Sequence, residues 1–282
     1  MVLETIINPI SAERKPWHMI FIGMLYSGIA IFLSYWVFAE YVSLVMVFLT
    51  ALVCAPLLYN VIKLEEKKDM VVDEEITLLK EHWKVLSFLV FLFIGFVITF
   101  SLCYALMPND MAQHTFSIQT NTISAINSNA TGNFYGLNDF WKIFSNNLKV
   151  LVFCIIFAFI YGLGAIFILT WNASVIGAAI GIFIRVNISS KAAELGYPSI
   201  VHYFTAIPIG LLRYALHGIP EIAAYFIGGI AGSIISVAVI NHDLGTKKYE
   251  KILLDTSNLV IIAIVILFFA ALLEVYVTPL LF

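Results

Sequence analysis

Between His18 and Phe282 the chain returns repeatedly to runs of about 20 residues with almost no charge, and this constrains the fold more than any motif does. The clearest runs are His18–Ala39, Tyr41–Ile62, Val85–Met107, Leu148–Thr170, Ile219–Ile240 and Leu259–Phe282. Each is long enough to cross a hydrocarbon core of about 30 Å as a helix. The runs are continuous rather than alternating, which excludes a transmembrane barrel. Composition agrees: 61% of residues are hydrophobic, 12% are charged, and the mean hydropathy is +0.97. The expected fold class is therefore all-α, a polytopic transmembrane helical bundle of about seven membrane helices. A net charge of −3 gives no reason to expect a nucleic-acid partner. Cys54, Cys103 and Cys154 each sit inside an apolar run and read as buried thiols. The first apolar run is too long for a cleavable signal and further spans follow it.

Polar segments divide these runs. Residues 1–17 form a short leader with Arg14, Lys15 and an interfacial Trp17. Glu40 marks a tight turn, so the first two spans make a helical hairpin. Lys63–Lys84 is the most charged stretch and carries five lysines, which assigns it to the cytoplasm. It should form a helix from Glu74, capped by Asp73, that runs into the third span. Residues 1–84 are thus a leader, hairpin and cytoplasmic connector, and 85–282 a membrane domain. Pro108–Asn147 is rich in Asn, Ser and Thr, has Lys142 as its basic residue, and should be an extracytoplasmic loop. Within it, Asn129-Ala-Thr131 is a glycosylation sequon, and Asn138–Asn147 is amphipathic enough to lie at the interface.

The later chain is less regular. Thr170–Asn187 is a short apolar segment, expected to cross tilted or only in part. Ile200–Leu216 carries His202, Pro208 and Arg213. If every apolar segment crossed, the loop with Lys247, Lys248 and Lys251 would face outside, against the charge rule. Either Ile200–Leu216 or Ser174–Ile184 should then be re-entrant, and Pro208, Arg213, Gly218 and Pro220 favour a broken or re-entrant element around residues 200–221.

Within Leu211–Gly232 stand Arg213, His217 and Glu221, four residues apart, in a run otherwise apolar enough for lipid. Each ionisable group at a helix centre costs roughly 2.5–3.5 kcal/mol on insertion scales. An unbroken helix would stack all three on one face. Gly218 and Pro220 instead suggest one helix ending and another starting, with Glu221 in the new first turn. Three uses are open: mutual neutralisation as structure, a transport or proton-relay site, and catalysis. Catalysis has the least support. The sequence holds no HExxH helix, nucleophile elbow or phosphate-binding loop, and His217 with Glu221 supplies only two metal ligands. No metal or cofactor is expected.

Small residues form stripes at Gly177-x-x-x-Gly181 and Gly228-x-x-x-Gly232, which read as helix-packing seams, with a dimer interface as the alternative. Asn146, Asn147 and Asn172 flank the fourth span and should bond across helices or, less expectedly, contact a ligand.

Taken together, FSNNLKVLVFCIIFAFIYGLGAIFILTWNASVIGAAIGIF and LLRYALHGIPEIAAYFIGGIAGSIIS resemble the stage II sporulation protein M family. The family's marks fall on Asn146, Asn147, Gly162, Asn172, Gly177, His217, Gly218, Glu221 and Gly232. The family often has Pro directly before the His, where this chain has Leu216. The resemblance covers about Val85–Phe282 and leaves the N-terminal hairpin as an addition. It implies a multi-pass cell-membrane protein. In sporulating bacteria the namesake belongs to a complex supporting cell-wall hydrolases, so any wall chemistry would belong to partners. The leading expectation is a non-enzymatic scaffold or assembly factor, a homodimer in contact with membrane lipids and other membrane proteins. The alternative is a small-solute or lipid transporter using Arg213, His217 and Glu221.

Overall fold

The computed structural model describes residues 16–71, 75–128, 136–161, 164–195, 200–240 and 245–281. The leader residues Arg14 and Lys15, the capping residue Asp73, the sequon at Asn129 and Gly162 lie outside them. The described residues are helical, without strands. In chain order the helices are α1 (His18–Val37), α2 (Val42–Val71), α3 (Glu75–Leu106), α4 (Asn109–Thr115), α5 (Ser117–Ser128), α6 (Leu137–Tyr161), α7 (Gly164–Leu195), α8 (Ile200–Ile240), α9 (Lys247–Leu272) and α10 (Thr278–Leu281). Seven of the described helices are long and apolar enough to cross a membrane, as the sequence predicts. A 3₁₀ turn at Ala39–Tyr41 joins α1 to α2 at the expected hairpin corner. The three cysteines are free thiols, with Cys54 and Cys154 fully buried.

Glycines set how these helices approach. A Cβ on Gly23 would overlap the backbone of Leu92, and one on Gly95 would overlap the carbonyl of Ile20, so α1 and α3 touch backbone to backbone. Gly177 lies against Phe100 and Gly181 against Tyr104, pairing α7 with α3; Gly228 lies against Leu151 and Gly232 against Ile155, pairing α8 with α6. The numbering rises together in the last two pairs, and in the first from Gly23 beside Gly95 to Gly28 beside Thr99, so all three pairs run parallel. The glycine stripes are seams inside the chain, and among the described residues none is left over for a dimer.

Three expectations need correction. First, α8 is one uninterrupted helix, with Pro208 and Pro220 both inside it. Gly218 has helical geometry; the described glycine with positive φ is Gly245, at 78°. Pro220 removes one backbone donor, but a full break would strip several carbonyls of partners at membrane depth, and packed neighbours hold the helix together. Residues 200–216 and 219–240 therefore cross once, as a single span at Tyr214–Ser236.

Second, α6 ends at Tyr161 and α7 begins at Gly164, so the boundary between these spans comes before Thr170. The amphipathic residues 138–147 are the first turns of spanning α6, and the supposedly short segment is a full span, Ile166–Ser190. Phe140 is buried against Phe268 rather than lying in an interface.

Third, half of the expected outer loop folds back into the bundle. Phe116 is fully buried between Phe100 and Tyr104. Gln119, also fully buried, donates to the Ser43 carbonyl and to Ser174 Oγ, each at 3.1 Å, and accepts from Ser43 Oγ. Gln119 thereby joins α5, α2 and α7. Gln119→Leu should leave these partners unsatisfied and cost about 1–3 kcal/mol, readable as a lower melting temperature of the detergent-solubilised protein.

Candidate functional site

The polar cluster in α8 is assembled with the end of the last span. His217 Nδ1 lies 3.3 Å from Thr278 Oγ1. The Tyr225 hydroxyl donates to Glu221 Oε1 at 2.6 Å, one turn along the same helix. A bond this short to a carboxylate is of the stronger, charge-assisted kind. Because α8 is continuous, His217, Glu221 and Tyr225 follow one another on one face. The side chain of Arg213, the third member of the expected trio, lies outside the described residues.

Opposite them the last helix is wound one residue wider per turn, as a π-helical stretch at Leu273–Val277. Thr278 Oγ1 closes it by donating to the Leu273 carbonyl at 3.1 Å, five residues back. The wider turn carries Glu274, which comes within electrostatic range of Glu221 and Tyr225. Single π turns of this sort recur at functional sites because they re-aim one side chain without ending the helix. The site is therefore His217, Glu221 and Tyr225 against Glu274 and Thr278. The sequence contains a signal for Glu274, an acid inside an otherwise apolar span. Tyr225 is signalled only by its i+4 spacing from Glu221, and the π turn has no sequence signature.

The amides separate. Asn146 is exposed, and Asn172 donates within its own helix to the Ile168 carbonyl at 2.9 Å, so neither bonds across helices through a described contact. Asn147 is buried, and its Nδ2 has no partner among the described residues. With Leu151 against Gly228 and Ile155 against Gly232, the parallel register sets Asn147 level with Ala224, about one turn from Glu221. Gly218 and Pro220 are helix-interior residues, not a hinge.

A separate apolar cleft of ≈ 160 Å³ runs between α3, α7 and α8 and passes Gly218; neither His217 nor Glu221 lines it.

The family model described as stage II sporulation protein M matches residues 85–279. An uncharacterized protein of Methanocaldococcus jannaschii is 29% identical over 167 residues, covering 57% of this chain and 84% of that protein. No solved structure matches. The family match takes in well over half of the chain, including the helices that carry Asn146, Asn147, Asn172, His217 and Glu221, and the chain belongs to the stage II sporulation protein M family.

Proposed function

We propose that the chain is a non-enzymatic, multi-pass scaffold or assembly factor of the cell membrane that acts through other membrane proteins. The observation that carries this reading is the engagement of the polar groups with one another. Tyr225 holds Glu221 within α8, and His217 meets Thr278 across the helices, so the His217–Thr278 contact fastens α8 to the end of the last span. Such a clasp fixes helix positions, which a platform for partners needs and a moving transport element does not. We assign the N-terminus and residues 63–84 to the cytoplasm and loop 108–147 to the outside. With seven spans the connector after the second span and the one after the sixth open on the same side, so Lys247, Lys248 and Lys251 join the lysines of 63–84. A homodimer would use faces other than the glycine seams, for example the exposed Phe21, Leu25 and Phe32 of α1.

A second reading, a solute or proton transporter, draws on two carboxylates within range of each other inside the membrane and on Asn147 at nearly the same level, whose Nδ2 has no partner among the described residues. Two variants separate the readings. A clasp predicts that Thr278→Val, which removes the hydroxyl facing His217 Nδ1, costs about 1 kcal/mol and lowers the melting temperature by a few degrees. Glu221→Gln keeps an oxygen that can accept from Tyr225. If it stops proton or solute flux in proteoliposomes while the melting temperature holds, the transport reading replaces the scaffold.

A further inference from the structure

Gly218 differs from the seam glycines of α7 and α8. A Cβ on Gly177, Gly181, Gly228 or Gly232 would strike a neighbouring helix, whereas one on Gly218 meets nothing within 4 Å. The space beside it is the cleft between α3, α7 and α8, whose walls include Val90, Ile94, Ile98, Ile180 and Tyr214. These five residues and Gly218 all lie within candidate spans, in Leu86–Leu106, Ile166–Ser190 and Tyr214–Ser236. The cleft has ≈ 160 Å³ and no charged lining residue. A water needs two to four polar partners to stay in such a space, and an apolar cavity of about 150 Å³ stays dry and takes small hydrocarbons. At this depth the surrounding solvent is itself hydrocarbon. Toward one membrane surface, Trp83, 65% exposed, stands seven residues before Val90 on the same stripe of α3 that continues through Ile94 and Val97. An exposed Trp at that level suits the zone where headgroup and acyl chain meet.

We infer that the cleft is a binding site for one acyl chain of a membrane phospholipid, which enters past Trp83 and lies against Gly218. The chain fills the gap that the missing side chain leaves between α3 and α8, so the lipid is an integral part of the bundle rather than a member of the exchanging belt. The test uses the full-length protein in nanodiscs of phosphatidylethanolamine and phosphatidylglycerol. These contain a phosphatidylcholine bearing a diazirine at the end of one acyl chain, and the cross-linked peptides are mapped after illumination. Labelling should concentrate on the segments 90–98 and 214–222, above that on the exposed outer stripe Leu44, Phe48 and Leu52 of α2. Gly218→Leu should cut it at least fivefold, and Gly218→Ala should leave most of it. Should Gly218→Leu fail to fold, Ala215→Leu, from the same wall, provides the block. Equal labelling of both surfaces, or labelling that survives both leucine variants, overturns the proposal. So does labelling that appears only when the protein is diluted in lipid, because a second copy of the chain then occupies the cleft.

Discussion

Gly95→Leu should leave no correctly docked α1, seen as loss of the monodisperse peak when the detergent-extracted protein is run on a sizing column. A Cβ at position 95 would stand 3.0 Å from Gly23 Cα and 3.0 Å from Met24 N, and would overlap the Ile20 carbonyl. These are backbone atoms of a helix, so no rotamer change relieves them; the helices must separate. Helices in lipid gain nothing from a hydrophobic drive to associate and rely on close packing, so separation removes what holds the pair. Overpacking a soluble core costs typically about 1–3 kcal/mol. Gly95→Ala should fall in that range, and leucine should exceed it. Gly28, on the same seam, is the control. Its Cβ would meet only Thr99 Cγ2, at 4.0 Å, which is ordinary contact. Gly28→Ala should be neutral or stabilising by up to about 1 kcal/mol through helix propensity. Equal damage at positions 28 and 95 would mean that the α1–α3 approach is not what the substitutions test.

Much of this arrangement could be read from the chain because it depends on local chemistry. Apolar runs long enough for a bilayer become spans whatever their neighbours do, and Glu40 between two of them leaves room only for a tight corner. The seam glycines at 177, 181, 228 and 232 were legible for a similar reason: small residues one turn apart on an apolar helix serve close approach. What escaped depends on partners distant in sequence. Gly218 and Gly228 look alike in the chain, yet Leu151 faces one and open space faces the other. Ser43 and Gln119 are polar residues that satisfy each other, across 76 positions, inside the bundle. Composition records polarity and not its satisfaction, so residues 109–128 read as loop. Pro220 misled in the same way. Proline weakens a helix locally, but whether the helix ends depends on what else its freed carbonyls could bond, and at membrane depth there is little.

Arg185 carries the second large expected effect, and the sequence marks it only as a cation near the end of a span. Its Nε donates to the Tyr104 carbonyl at 2.8 Å, and its two terminal nitrogens donate to the Met107 carbonyl and to Asn109 Oδ1. The guanidinium carbon also lies 5.2 Å from the centre of the Tyr104 ring. Tyr104 belongs to the last turn of α3 and Met107 follows its last residue, where carbonyls lack helical partners and the dipole favours a cation. Asn109 opens α4, so one side chain ties α7 to the corner at which α3 hands over to the folded-back helices. Arg185→Ala leaves three acceptors without their donor, at about 1–3 kcal/mol for each that stays buried. With two acceptors part-buried and Asn109 Oδ1 exposed, a loss of about 2–3 kcal/mol is expected in chemical denaturation, with faster amide exchange over Ser117–Ser128 because α5 is held through that corner. Arg185→Lys discriminates between two origins of the effect. If the dipole and the charge dominate, lysine restores most of the stability. If the planar fork serving three acceptors dominates, as the geometry indicates, a single ammonium restores less than half.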